Sequence, residues 1–136
     1  MAKKLDNVLK TGKRKTAVAR ANVVKGTGAI RINNEDMSSY INNELLQLKV
    51  REPFIISGLE GKYDVTINVN GGGQSSQVDA IRQAIARALI EITGSEELKK
   101  TFQEYDRSLL VSDTRQKEMY KPNSSKARAK RQKSYR

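Results

Sequence analysis

The sequence predicts a single α+β domain followed by a basic segment. Residues 63–70 alternate apolar and polar side chains, which is the pattern of a strand with one buried face. Residues 76–93 carry apolar side chains three or four positions apart, which predicts one long amphipathic helix. Helix-like and strand-like segments are mixed without a regular βαβ alternation, and this mixture is typical of the α+β class. We therefore expect a globular body over residues 1–114 and an arm over residues 115–136.

The first part of the body is expected to form strands. Residues 15–25 and 29–33 are rich in apolar side chains, with Ile30 and Ile32 alternating around a polar position. The sequence Lys-Gly-Thr-Gly lies between the two segments and predicts a hairpin turn that would pair them. Residues 7–12 are expected to add a short edge strand before the basic run.

Short helices are predicted between these strands and the strand at residues 63–70. Apolar positions within residues 35–47 are spaced by three and four, which fits one or two short helices. Pro53 interrupts this pattern. Because proline is tolerated in the first turn of a helix, a second short helix is expected over residues 52–57, ending at Gly58.

The long helix and the elements after it have recognisable end signals. Ser75 or Ser76 is expected to cap its N-terminus, and Gly94 to end it in the left-handed conformation. A shorter helix is predicted to begin at residue 95 with Leu98 and Phe102 facing inward, and a short buried element follows before the arm.

Positive charge is concentrated at the two ends of the chain. The formal net charge is +11, and residues 115–136 hold nine Lys or Arg against one acid, Glu118. Residues 1–20 hold seven bases and one acid, so the part between the ends is slightly acidic. The arm has too little apolar surface to offset the cost of ordering its backbone. Two basic ends on a near-neutral body indicate docking on a polyanion, with nucleic acid as the leading candidate.

Composition excludes several kinds of site. The chain has no cysteine and no histidine, which removes disulfides, thiolate nucleophiles, zinc centres and the commonest general base. The carboxylate pairs on the predicted helices lie near no predicted pocket, so they are interpreted as solvated charges. No signal-peptide pattern and no long apolar window is present. We therefore expect a cytoplasmic protein that is not an enzyme, holds no cofactor or metal and has no membrane partner.

A basic run near the N-terminus is the first candidate phosphate contact. Residues 11–16 read Thr-Gly-Lys-Arg-Lys-Thr, and the earlier glycine that a Walker phosphate loop requires is replaced by Asn7. In a strand, Lys13 and Lys15 would share one face while Arg14 takes the other. Phosphate contact is the preferred interpretation, and a solvated charge run is the alternative.

A glycine-rich segment before the long helix is the second candidate. Residues 70–76 read Asn-Gly-Gly-Gly-Gln-Ser-Ser, and glycines there let backbone N–H groups approach an anion at a helix N-terminus. A plain turn between strand and helix explains the segment equally well. On the helix itself, Arg82 lies three residues after Asp79, and Arg87 lies four residues before Glu91. Both spacings are those of ion pairs along a helix, so these arginines are interpreted as candidate partners of the two carboxylates.

Several motifs resemble small-subunit ribosomal protein nine. They are the block at residues 11–20, the glycines at 71–73, the helix segments at 79–82 and 84–89, residues 105–111, and the ending Arg-Gln-Lys-Ser-Tyr-Arg at 131–136. The likeness covers nearly the whole chain, and the ending is similar to that of the archaeal and eukaryotic branch. Residues 119–125 depart from the family's usual glycine-containing joint, so the path of the arm near Pro122 is expected to differ.

The resemblance implies a fold and a place of action. The fold would be an α+β sandwich like the second domain of ribosomal protein five, with a left-handed βαβ crossover and an extended basic C-terminal tail. The body would bind small-subunit ribosomal RNA in the head, beside neighbouring ribosomal proteins, and the arm would reach toward the peptidyl-site tRNA. The expected tRNA contacts are Lys133, Ser134, Tyr135 and Arg136. The expected ribosomal RNA contacts are Lys13, Arg14, Lys15, Arg20, Gly71, Gly72, Gly73, Arg115, Lys117, Lys121, Lys126, Arg128, Lys130 and Arg131.

Two other functions stay open on the sequence alone. A phosphate-handling enzyme would fit the glycine and serine loop at residues 71–76, which is similar to loops in some small-molecule kinases, although the chain is short and lacks histidine. A general DNA-compacting protein would also carry basic ends. Binding to structured ribosomal RNA and to duplex DNA at equal salt would separate the second alternative from a ribosomal role.

Overall fold

A sheet backed on one face by helices forms the body of the computed structural model, which describes residues 7–123, 126–130 and 133–136. The strands are β1 (Asn7–Arg14), β2 (Ala17–Lys25), β3 (Ile30–Ile32), β4 (Glu35–Asp36) and β5 (Tyr63–Asn70). The helices are α1 (Met37–Tyr40), α2 (Glu44–Ser57), α3 (Gln74–Thr93) and α4 (Glu96–Tyr105), followed by one 3-10 turn at Arg107–Leu109. The predicted α+β class is confirmed.

The order of the strands in the sheet differs from their order in the sequence. Across the sheet the order is β1-β2-β5-β3-β4, with β1 antiparallel to β2 and β2 antiparallel to β5. β3 runs parallel to β5, and the chain between them passes through β4, α1 and α2. The hairpin predicted between β2 and β3 is therefore wrong, because β5 lies between these two strands.

The carboxylate of Asp64 on β5 holds the loop that was predicted to form this hairpin. Its Oδ1 atom accepts hydrogen bonds from the N–H groups of Thr27, Gly28 and Ala29, at 2.7, 2.8 and 2.9 Å. The N–H of Ala29 is the largest single cause that keeps the pKa of Asp64 below its ordinary value. A β-carbon at Gly26 would overlap the same carboxylate, so the loop depends on glycine there.

Small residues allow α3 to lie close against β1 and β2. A β-carbon at Gly12 would lie 2.8 Å from the backbone nitrogen of Ala84 and would overlap the carbonyl of Ala80. The inner face of β2 is built from the buried residues Ala17, Ala19, Ala21 and Val23. The apolar stripe predicted on the long helix is also buried, and consists of Val78, Ile81, Ile85, Leu89 and Ile92.

α2 is one continuous helix of 14 residues, although the sequence predicted an interruption at Pro53 and a separate short helix over residues 52–57. Pro53 lies inside it and cannot donate the backbone hydrogen bond of that position. Val50 and Phe54, on either side of the proline, are buried in the core, and this packing holds the helix across the missing bond. The helix ends at Gly58 in the left-handed conformation, with φ of 63°, as predicted.

The ends of the last two helices follow the sequence signals in part. Gly73, which has no side chain to offer, occupies the N-cap position of α3, so the predicted cap by Ser75 or Ser76 is wrong. Gly94 ends α3 with φ of 61°, as predicted. In α4, Phe102 is fully buried, which also confirms the prediction.

No helix in the described part of the chain is long and apolar enough to cross a membrane.

Candidate nucleic-acid interface

Two cations on the helix side of the sheet, Lys10 and Arg82, are neutralised within the body. Lys10 on β1 lies 3.0 Å from the carboxylate of Glu91 on α3. Arg82 pairs with Asp106 at 2.8 Å and also with Glu52 on α2, and its side chain is only 12% exposed. Because their charge is already compensated, these cations contribute to the fold and have little to offer a polyanion.

Distant partners replace both ion pairs that were predicted along α3. Asp79 lies 3.8 Å from Arg14 and 3.6 Å from Lys49, and it is not paired with Arg82. Arg87 forms no ion pair with a described carboxylate and instead donates to backbone oxygens. Helical spacing alone therefore did not identify the partners of these side chains.

Gln83 and Arg87, one turn apart on α3, join the edge of β1 to the segment that leads into the arm. Arg87 donates to the carbonyl of Thr11 at 2.8 Å and to that of Leu110 at 2.9 Å. Gln83, which is 3% exposed, accepts from the N–H of Lys13 at 2.9 Å and donates to the backbone of the same outgoing segment. The sequence predictions missed this pair, because the β1 partners lie 70 and 76 positions away in the chain.

The basic run at the end of β1 points in two directions. Lys13 is exposed on the face that the helices leave open, whereas Arg14 turns inward and pairs with Asp113. The predicted opposition of Lys13 and Arg14 is thus confirmed. Lys15 lies beyond the strand, exposed in the turn to β2, with a positive φ of 53°.

Unpaired cations lie on the face of the sheet that the helices leave open. Lys13, Arg20 and Arg31 are exposed on three different strands, and none of them forms an ion pair with any residue that the structure describes. Arg20 pairs in register with Asn68, and Arg31 with Thr66. On the sheet, Lys10 and Arg14 thus pair with carboxylates on the helix side, whereas Lys13, Arg20 and Arg31 face solvent.

The glycine segment before α3 packs on the turn between β1 and β2. Gly71 and Gly72 have φ of 78° and 67°, and a β-carbon at Gly71 would overlap the carbonyl of Thr16. Both glycines are therefore required by the turn itself. Gly73 has an ordinary φ and open space around it. Since Lys15 precedes Thr16, the lysine and the N-terminus of α3 lie at one corner of the body.

The arm begins at a junction of charged side chains. Arg115 pairs with Asp113 at 2.7 Å, and Arg128 pairs with Glu118 at 2.8 Å. The described residues of the arm form no helix and no strand. Arg131 lies outside the described residues. The other predicted contacts of the arm are exposed, namely Lys117, Lys121, Lys126, Lys130, Lys133, Ser134, Tyr135 and Arg136.

Comparison with known proteins identifies the family. A family model described as "Ribosomal protein S9/S16" matches residues 12–136. The chain belongs to this family. Proteins named small ribosomal subunit protein uS9 are similar to it: that of Halobacterium salinarum is 52% identical over 128 residues, covering 93% of this chain and 96% of the relative. Those of Methanococcus vannielii and Thermoplasma volcanium are each 48% identical, covering 92% and 97% of this chain and 95% and 100% of the relatives.

Family membership gives the chain its general role. It is a structural constituent of the small ribosomal subunit, cytoplasmic, and not an enzyme, as the resemblance of its motifs to the ribosomal protein nine family implied. This role replaces the kinase-like and DNA-compacting alternatives. The matched range runs to the end of the chain and so includes residues 115–136.

Proposed function

We propose that this chain binds small-subunit ribosomal RNA through the unpaired cations of its body and the cations of its arm, and that the tip of the arm contacts the peptidyl-site tRNA. The division of the cations on the strands carries the proposal. Lys10 and Arg14 face the helices and are compensated by carboxylates, whereas Lys13, Arg20 and Arg31 face solvent without such partners among the described residues. An RNA backbone supplies the missing negative charge.

The corner formed by Lys15 and the glycine segment is the second part of the body's proposed RNA surface. Backbone N–H groups of the first turn of α3 have no helical acceptor, and the helix N-terminus carries partial positive charge. Gly71 and Gly72 form the turn that leads to this helix end, and Gly73 has open space beside it through which a phosphate group can approach these donors. Arg14 supports this surface indirectly by pairing with Asp113, although the sequence placed it among the direct contacts.

The proposal includes the architecture that the resemblance implies. The parallel pair of β3 and β5, joined through α1 and α2, supports a βαβ unit, and we assign it the left-handed crossover of the second domain of ribosomal protein five. The arm begins after Asp113, the last residue bridged to the sheet, which supports a boundary between residues 114 and 115. In the bound state the arm is extended along RNA.

The arm contributes both ribosomal RNA and tRNA contacts in this proposal. Arg128 exchanges its carboxylate partner for a phosphate, because both side chains of this pair are exposed and the pair is weak in water. The side chain of Arg115 is 81% exposed, so a phosphate can approach its guanidinium while it stays paired with Asp113. The side chain of Tyr135 is 88% exposed, which leaves its ring free to stack on a base or ribose. Lys133, Ser134, Tyr135 and Arg136 form the tRNA-contacting tip. Lys117, Lys121, Lys126, Lys130 and Arg131 contact ribosomal RNA.

The salt dependence of RNA binding tests the proposal. The affinity of the full chain for the head-domain ribosomal RNA should fall linearly with salt on a logarithmic plot. Removing residues 115–136 should flatten the slope by about 0.7–0.9 for each lost phosphate contact. The variant Lys100→Gln, which removes an exposed cation from α4, is the control and should leave the slope unchanged. An unaltered slope after truncation would show that the arm does not bind phosphate.

A further inference from the structure

A groove crosses the open face of the sheet over three strands. It has a volume of ≈ 460 Å³ and is lined by Asn7, Leu9, Arg20, Asn22, Thr66 and Asn68. Pairing in the sheet places Leu9, Asn22 and Thr66 in one row from β1 to β5, and Arg31 on β3 continues that row. A second row places Arg20 beside Asn68. The groove therefore follows two adjacent rows of side chains.

The lining of the groove combines one cation with amide and hydroxyl groups. Arg20 is its single charged residue, and no carboxylate lines it. Leu9 is apolar but 62% exposed, so it offers an apolar contact that the body itself does not use. Arg31 lies at the end of the row without an ion-pair partner among the described residues. A ligand that fits these groups is negatively charged and rich in hydrogen-bonding groups.

Asn22, in the middle of the groove, carries an unsatisfied polar atom. Its Oδ1 atom is buried and accepts no hydrogen bond in the structure. A buried acceptor without a partner is uncommon, because it forfeits the hydrogen bond that it makes in water. A small rotation of the side chain toward the groove would let a ligand hydroxyl donate to it. Asn22 therefore offers an acceptor that the body itself leaves unused.

We propose that this groove binds the ribose-phosphate backbone of an RNA segment, an inference that rests on the proposed ribosomal role. Arg20 and Arg31 contact phosphates, while Asn22 and Thr66 hydrogen-bond ribose 2′-hydroxyl groups, the feature that distinguishes RNA from DNA. Leu9 packs on a ribose or a base edge. The charge of Arg20 and Arg31 favours a polyanion as the occupant, and a neighbouring protein is the alternative that the crosslinking experiment tests.

Photo-crosslinking within assembled small-subunit particles identifies the occupant. The full chain carries a benzophenone amino acid in place of Leu9, which is exposed and at the sheet edge. The expected result is an adduct with a defined segment of ribosomal RNA. Adducts with ribosomal proteins alone, or no adduct from fully assembled particles, would overturn the inference. Failure of the chain to enter particles at all would instead contradict the proposed function.

Two substitution pairs test the chemistry of the groove. Arg20→Gln should lower the yield of the RNA adduct several-fold, whereas Lys100→Gln, an exposed cation on α4, should not. The crosslinked nucleotides should be protected from 2′-hydroxyl acylation, and Asn22→Ala should restore their reactivity. Asn42→Ala, an exposed amide between α1 and α2, is the matched control. Yields unaltered by Arg20→Gln, or continued protection with Asn22→Ala, would contradict the assigned contacts.

Discussion

Arg14 and Asp113 lie side by side where the edge of β1 meets the segment that leads into the arm. Their backbones form an isolated parallel bridge, and their side chains form an ion pair. The same carboxylate accepts hydrogen bonds from the backbone N–H and the guanidinium of Arg115, at 2.9 and 2.7 Å. Asp113 is thus held between a residue of the body and the first residue of the arm, which fixes the direction in which the arm leaves.

The titration of Asp113 should report this junction. Hydrogen bonds from Arg115 are the largest cause that holds the pKa of Asp113 well below its ordinary value, and the charge of Arg14 contributes less. Arg115→Gln should therefore raise the pKa of Asp113 more than Arg14→Gln does, and Lys100→Gln should not change it. Carboxyl carbon shifts measured by NMR over an acid titration give all three values. The reverse ranking would mean that Arg14 dominates the junction.

The bonds of Arg87 should contribute to stability as well as to the position of the arm. Arg87→Met keeps the length of the side chain but leaves the carbonyls of Thr11 and Leu110 without this donor. We expect the free energy of unfolding to fall by about 1–3 kcal/mol, the cost of unsatisfied polar groups. Urea denaturation measures it. The control Lys100→Met alters an exposed residue with no ion pair among the described residues and should stay within about 0.5 kcal/mol of the unsubstituted chain.

Close packing of α3 on β1 should make Gly12 intolerant of any side chain. The added methyl of Gly12→Ala would overlap the backbone of Ala80, which cannot rotate away as a flexible side chain can. The expected loss is about 1–3 kcal/mol or more of unfolding free energy, as for other overpacked cores. Gly73→Ser is the matched control, because it adds a side chain in open space at the N-cap of α3. It should be neutral or slightly stabilising. Thermal denaturation of both variants compares them.

Local sequence patterns predicted the elements whose structure is decided locally. β5 shows strict alternation and α3 a continuous apolar stripe, and both formed as expected. Predictions failed where distant residues decide the outcome. β5 occupies the position beside β2 that the predicted hairpin gave to β3, and core packing continues α2 through Pro53. Neither effect leaves a signal in the neighbouring sequence.

The sequence also predicted the candidate nucleic-acid interface only in part. Strand alternation correctly placed Lys13 and Arg14 on opposite faces, but it does not reveal which of the two meets a carboxylate. That depends on Asp79 and Asp113, which lie far along the chain. Composition predicts that the arm binds a polyanion, and this stays a prediction, whereas the groove around Asn22 is defined only by the register of three strands.

Asp64 should make the stability of the loop after β2 depend on pH. Its pKa is lower in the folded state than the ordinary value of about 3.9 that it has when unfolded. The stabilisation is therefore present above about pH 4 and is lost as pH falls through the folded pKa. Asp64→Asn should be less stable than the unsubstituted chain at pH 7, and the difference should shrink toward pH 3 in urea denaturation. A difference that does not vary with pH would mean that the charge of Asp64 is unimportant.

The tip of the arm should affect the retention of peptidyl-site tRNA without affecting the assembly of small-subunit particles. The double variant Tyr135→Ala with Arg136→Ala removes a ring that stacks on RNA and a guanidinium that forms a planar fork with phosphate. We expect particles to assemble normally but to hold peptidyl-site tRNA more weakly, by about 1–3 kcal/mol. The rate of tRNA dissociation from purified small-subunit particles measures the effect.

A control variant separates the effect of the arm's net charge from the effect of the contacts made by Tyr135 and Arg136. Lys130→Ala also removes one cation from the arm, but at a position assigned to ribosomal RNA, so it should leave tRNA dissociation nearly unchanged. If both variants speed dissociation equally, only the net charge of the arm matters. If neither does so at several salt concentrations, residues 133–136 hold the arm on ribosomal RNA and do not contact tRNA. Faster dissociation in the tip variant alone would place Tyr135 and Arg136 against tRNA, since each variant removes one cation from the arm.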